Sequence, residues 1–108
     1  MNLLEVAIRR NRTHEAIIEE ILFSATDGAR QTKIMYDASL SYDQVKKYIF
    51  RLLKSGMLRR EDNGKIYHTT DLGVKFRRAY EDFKRIERNY HSTRESLAGI
   101  LSNAGLRS

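Results

Sequence analysis

Between Thr13 and Gly28 the apolar residues Ile17, Ile18, Ile21, Leu22 and Ala25 recur at intervals of three and four, with Glu15, Glu19 and Glu20 set between them. That spacing lays one apolar stripe along a helix and predicts a helix from Thr13 onward. Thr13 suits its N-cap, and Asp27-Gly28 supplies a stop. Upstream, Leu3, Leu4, Ala7 and Ile8 share the spacing, but the run is short and leads into Arg9, Arg10 and Arg12. Residues 1–12 are therefore read as an N-terminal extension.

Thr32 is placed to cap a short helix through Tyr36 or Ala38, and Ser39-Leu40 reads as a tight connection with the leucine turned inward. Ser41 followed three residues later by Gln44 is a capping box, which satisfies the orphan amides at a helix start. After it Val45, Tyr48, Ile49, Leu52 and Leu53 form a core stripe, and Gly56 closes the helix. Two short helices joined by about three residues make a helix-turn-helix. Met57–Glu61 and Lys65–Thr69 then flank Asp62-Asn63-Gly64, and Asn-Gly is a strong hairpin signal because both residues tolerate positive φ. A further short strand is expected near Ala29–Gln31, paired with the hairpin. Helix, helix-turn-helix and hairpin in this order predict a mainly α (α+β) fold, a winged helix-turn-helix over residues 13–70.

Thr70 caps a final helix whose pattern is different. Phe76, Phe83, Tyr90 and Leu97 fall seven apart, and so do Leu72, Ala79, Ile86, Thr93 and Ile100, offset by three. This is an a/d heptad. A helix over residues 71–104 is about 50 Å long at 1.5 Å per residue, so much of its stripe has no partner within one small domain. Dimerisation through Phe76, Ala79, Phe83, Ile86, Tyr90, Leu97 and Ile100 is the natural solution. Thr93 and Gly99 weaken the last turns.

Charge sharpens this picture. The net charge of +6 is uneven: residues 1–28 carry −2, residues 29–67 carry +5 and residues 68–108 carry +3. The basic middle coincides with the helix-turn-helix and hairpin, the electrostatic footprint of a polyanion binder. If Val45, Ile49 and Leu52 face the core, rotation by 100° per residue puts Asp43, Lys47, Phe50 and Lys54 on the outer face, with Lys46 and Arg51 on the flanks. Residues at the start of such a helix meet base edges in the major groove, which nominates Ser41, Tyr42, Asp43, Gln44, Lys46 and Lys47. Gln44 has two claims on it, adenine pairing and the cap. Arg51 and Lys54 suit phosphates, as do Arg59, Arg60, Asn63 and Lys65 in the hairpin, where charge also blunts an exposed sheet edge. Arg30, Gln31 and Lys33 open the first short helix, where amides and cations both favour phosphate.

Other chemistry is thin. With no cysteine, disulfide scaffolds and thiolate metal sites fall away. His14, His68 and His91 stand apart from one another, and no nucleophile-elbow, P-loop or dinucleotide pattern occurs, so no metal, cofactor or catalytic site is expected. The longest apolar runs are too short for a membrane span or secretory signal, and a cytoplasmic, nucleoid-associated protein is expected.

The stretch Lys33-Ile34-Met35-Tyr36-Asp37-Ala38-Ser39-Leu40-Ser41-Tyr42, with Tyr48, Leu52, Gly56-Met57-Leu58, Tyr67 and Thr69-Thr70-Asp71-Leu72-Gly73, resembles the small archaeal winged-helix DNA-binding proteins. The likeness spans about Arg10 to Glu87. It implies binding of double-stranded DNA, as a transcription regulator or a chromatin-type architectural protein. It also implies a homodimer joined by an antiparallel coiled coil of the C-terminal helices. By position, the second helix of the motif begins at Ser41 and the wing runs from Arg59 to Lys65. The alternative function is a winged-helix protein-interaction module of the transcription machinery. No obligate small molecule is expected; a ligand-sensing regulator is a further rival.

Overall fold

The computed structural model describes residues 12–61 and 63–106. The helical spacing of Leu3 to Ile8 therefore lies outside the described residues, as does Asp62. Among the described residues, four helices and a hairpin succeed one another: α1 His14–Ser24, α2 Gln31–Asp37, α3 Tyr42–Ser55, β1 Leu58–Glu61, β2 Ile66–Thr69 and α4 Asp71–Asn103. Two compact units result, one reaching to Arg78 and one beginning at Ala79.

In the first unit Thr13 caps α1, its hydroxyl accepting from the Ala16 amide at 3.1 Å. The helix stops at Ala25, earlier than the Asp27-Gly28 stop expected. The cause is a tertiary contact just downstream. Gly28, at φ +94°, bends the chain so that Ala29 meets β2, with Ala29 and Tyr67 exchanging two backbone hydrogen bonds of 2.9 Å. The strand expected over Ala29–Gln31 is therefore a single antiparallel bridge, because Gln31 is already helical. For the same reason Arg30, not Thr32, occupies the N-cap of α2, without a side-chain capping bond.

The turn after α2 is a Schellman-type ending: the Leu40 amide reaches the Met35 carbonyl at 3.0 Å, and Ser39 adopts φ +52°. Leu40 turns inward and is buried. The capping box opens α3 as its sequence prescribes: the Gln44 amide donates to Ser41 Oγ at 3.2 Å and the Ser41 amide donates to Gln44 Oε1 at 2.9 Å. Gly56 ends it in the left-handed conformation at φ +83°. In the hairpin Leu58 faces Thr69 and Glu61 faces Ile66, while Asn63 and Gly64 both take the positive φ their pairing requires.

The core joins α1, α2, α3 and the hairpin through Ile21, Leu22, Ile34 and Val45, all fully buried, with Ala25, Ala29, Ala38, Leu40, Ile49, Leu52, Leu58 and Tyr67 around them. Thr70 caps α4, accepting from the Gly73 amide at 3.2 Å. Gly73 is buried, and a Cβ there would stand 2.6 Å from both the Met57 carbonyl oxygen and the Thr69 methyl. The close approach of α4 to the hairpin base thus needs a glycine. Phe76 packs against the same core.

In the second unit α4 continues to Asn103, and Gly105 at φ +71° lies beyond its end. Within this unit Phe83, Ile86, Tyr90, Leu97 and Ile100 are exposed. Ion pairs of neighbouring turns, Lys84–Glu87 at 2.8 Å and Arg85–Asp82 at 2.7 Å, lie along it. Among the described residues no helix is long and apolar enough to cross a membrane.

Candidate nucleic-acid interface

The face of α3 turned away from the core is built by its register. With Val45, Ile49 and Leu52 buried, Asp43, Lys46, Lys47, Phe50, Arg51 and Lys54 are all exposed. Four cations stand against one carboxylate along this helix, so its outer surface carries a positive surplus. Two of the ammonium groups rest on rings one turn earlier: Lys46 Nζ lies 5.1 Å from the Tyr42 ring centre, and Lys54 Nζ lies 5.4 Å from that of Phe50. Such contacts are weak at exposed sites, about 0.5–1 kcal/mol, so both lysines remain available to a polyanion.

Ser41 and Gln44 are engaged with each other. The carbonyl oxygen of Gln44, which bidentate pairing with adenine would use, already accepts from the Ser41 amide. Of the two claims on Gln44, the cap is the one visible in the fold. Tyr42 and Asp43 remain exposed in the first turn.

The opening of α2 meets the hairpin at an open cleft of about 450 Å³ lined by Arg30, Thr32, Lys33, Tyr36 and Ile66 among others. Arg30 is exposed and Gln31 half-buried. Lys33 is partly committed, since its ammonium lies 2.7 Å from Asp37 Oδ2. Asp37 in turn accepts from Ser24 Oγ at 2.7 Å. These bonds, that of Lys33 foremost, hold the Asp37 carboxyl below its ordinary range.

On the hairpin, the register puts Arg59, His68, Glu61 and Ile66 on one face and Leu58, Arg60, Tyr67 and Thr69 on the other. Glu61 is shared by Arg59, at 3.5 Å, and by His68, which it pairs with directly. Arg60 lies over the Tyr67 ring at 5.9 Å. Asn63 and Lys65 are exposed at the tip. Sequence reasoning placed Phe50 on the outer face but gave it no part in binding. The signal was available: it is an apolar residue on a helix face otherwise formed by Asp43, Lys46, Lys47, Arg51 and Lys54.

A family model described as winged helix-turn-helix matches residues 10–88. No curated protein matches. Among solved structures the chain is similar to Sso10a-2, a DNA-binding protein from Sulfolobus solfataricus, at 30% identity and a TM-score of 0.72, over 83% of this chain and 97% of that one. With the family model covering most of its length, and with its helix-turn-helix, hairpin and long C-terminal helix in the expected order, the chain belongs to the winged helix-turn-helix family.

Proposed function

We propose that the protein binds double-stranded DNA as a homodimer, either regulating transcription or shaping chromatin, with α3 in the major groove and the hairpin on the backbone. The observation that carries this reading is the outer face of α3, where Lys46, Lys47, Arg51 and Lys54 are exposed on a helix held rigidly by its caps and core stripe. The likeness to a DNA-binding protein supports it. Arg30 and Gln31 at the start of α2, and Arg60, Asn63 and Lys65 in the hairpin, flank that helix in the role of phosphate contacts. Ser41 and Gln44 fix the helix start, while Tyr42 and Asp43 stand beside the bases. Dimerisation is assigned to α4 through Phe76, Ala79, Phe83, Ile86, Tyr90, Leu97 and Ile100, because the larger of these beyond Arg78 expose apolar surface that water disfavours.

Titration of duplex DNA at several salt concentrations tests the reading. A dimer covering about six to ten phosphates gives a slope of log K against log salt of about −5 to −9. The double variant Lys47→Ala, Arg60→Ala should bind more weakly and with a flatter slope. Binding indifferent to salt and to these substitutions would overturn it.

A further inference from the structure

Phe50 is 60% exposed in the middle of α3, in a row with Asp43, Lys47 and Lys54 and beside Lys46. The inner stripe of the helix is turned to the core, with Val45, Ile49 and Leu52 buried and Tyr48 and Leu53 half-buried, so Phe50, on the opposite face, is not a stray core residue. A phenyl ring left in water forfeits a large apolar burial, and here the exposed Lys46, Lys47, Arg51 and Lys54 near it outnumber the one carboxylate of the face, Asp43. A surface complementary to this face is anionic overall and apolar at one point. Duplex DNA offers such a point in the major groove, where the 5-methyl of thymine projects between the two phosphate strands and an α-helix fits.

We propose that Phe50 is a specificity-determining residue that packs on thymine 5-methyl groups and so gives the protein a preference for A·T pairs. This rests on the DNA-binding reading above and extends it from the first turn to the middle of the helix. Phe50 lies eight residues after Tyr42, about 12 Å further along the axis. Lys54, over its ring at 5.4 Å, uncovers one face of it on turning to a phosphate. The contact carries no charge, so the preference it gives is insensitive to salt while total affinity falls.

The test needs no known target sequence. The full chain is titrated with a duplex of alternating dA and dT, and with the same duplex carrying dU for every dT, which removes only the methyl groups. The expected result is about fourfold tighter binding of the thymine duplex for each Phe50 that seats on one methyl, and so up to about sixteenfold for a dimer that seats both, at each of several salt concentrations. Phe50→Ala should bind both duplexes alike, near the affinity of the parent for the uracil duplex, and Phe50→Leu should keep part of the preference. Unchanged melting temperatures establish that the variants are folded, as an exposed position allows. Equal binding of the two duplexes by the parent, or a preference that survives in Phe50→Ala, overturns the inference and leaves DNA binding standing. A parent chain that binds neither duplex overturns the DNA-binding reading itself.

Discussion

Tyr48 Oη lies 2.7 Å from His14 Nδ1, and the two rings meet at a 5.7 Å centroid separation, which ties the middle of α3 to the first turn of α1. The bond crosses from the amino end of the domain to the helix proposed to enter DNA. Burial pushes the Tyr48 phenol up, against the pull of Arg51 and Arg12, so it stays a hydroxyl throughout the neutral range. Tyr48→Phe keeps the ring and removes the bond. Denaturant titration should show a loss of about 0.5–1.5 kcal/mol, with DNA affinity little changed at a temperature where both proteins are folded.

Two glycines of α4 should respond oppositely to the same change. Gly99→Ala meets nothing within 4 Å and should stabilise the helix by about 1 kcal/mol through propensity alone. Gly73→Ala has the same propensity gain, but its Cβ would press on the Met57 carbonyl, a backbone atom that cannot rotate away. Overpacking typically costs about 1–3 kcal/mol, so the expected sign is destabilising. Thermal melts monitored by circular dichroism decide both.

Asp37 gives the fold an acid-sensitive element. A carboxyl held below its ordinary range by folding contributes stability above its unfolded pKa, and that contribution is lost as the pH falls through the folded value. Asp37→Asn should therefore melt below the parent at neutral pH, and the gap should close on acidification below about pH 4. A gap constant with pH would show that the Lys33 pairing contributes nothing.

Phe83→Asp addresses the proposed dimer. An unpaired charge in the seam costs several kcal/mol, so light scattering should report a monomer whose first unit keeps its melting transition. A variant that is still dimeric places the interface elsewhere.

If two recognition helices are held by that dimer, affinity should depend on the spacing of half-sites. Two-fold readers commonly need about 34 Å, one turn of duplex, or a multiple of it. An antiparallel rod up to about 50 Å long favours a wider separation or the bridging of two duplexes. Paired half-sites moved in half-turn steps, run beside a bridging assay, distinguish a regulator with a periodic optimum from an architectural protein with little preference. A dimer that shows neither supports the protein-interaction alternative.

Most of the fold was legible because its punctuation is local. Thr13, the Ser41–Gln44 pair, Gly56, Asn63-Gly64 and Thr70 each act within four residues of themselves, and each does what its side chain prescribes. The misplacements all arise where distant segments meet. Ala25 ends α1 early and Arg30 replaces Thr32 as cap because Ala29 is held by Tyr67, a partner that helical spacing cannot reveal. Ser39 takes a left-handed conformation that its residue type does not advertise. In the candidate site the register of α3 is set by its apolar stripe, and so is the cationic face. Two of the cations are already occupied, Lys33 by Asp37 in an i, i+4 pair and Arg59 by Glu61 two residues along one strand face; both spacings are present in the sequence, but a count of charges does not weigh them.

The Ala29–Tyr67 bridge also determines how the domain comes apart. It closes a loop that contains all of α2, α3 and β1, so the whole helix-turn-helix lies inside one ring of chain. Seven residues are too few for an isolated helix, and a two-stranded hairpin is marginal by itself. Neither α2 nor the hairpin has a stable existence before the ring closes, and opening it releases both together. The wing is therefore part of the cooperative folding unit, and amide exchange in α2 and β2 should proceed with one opening free energy.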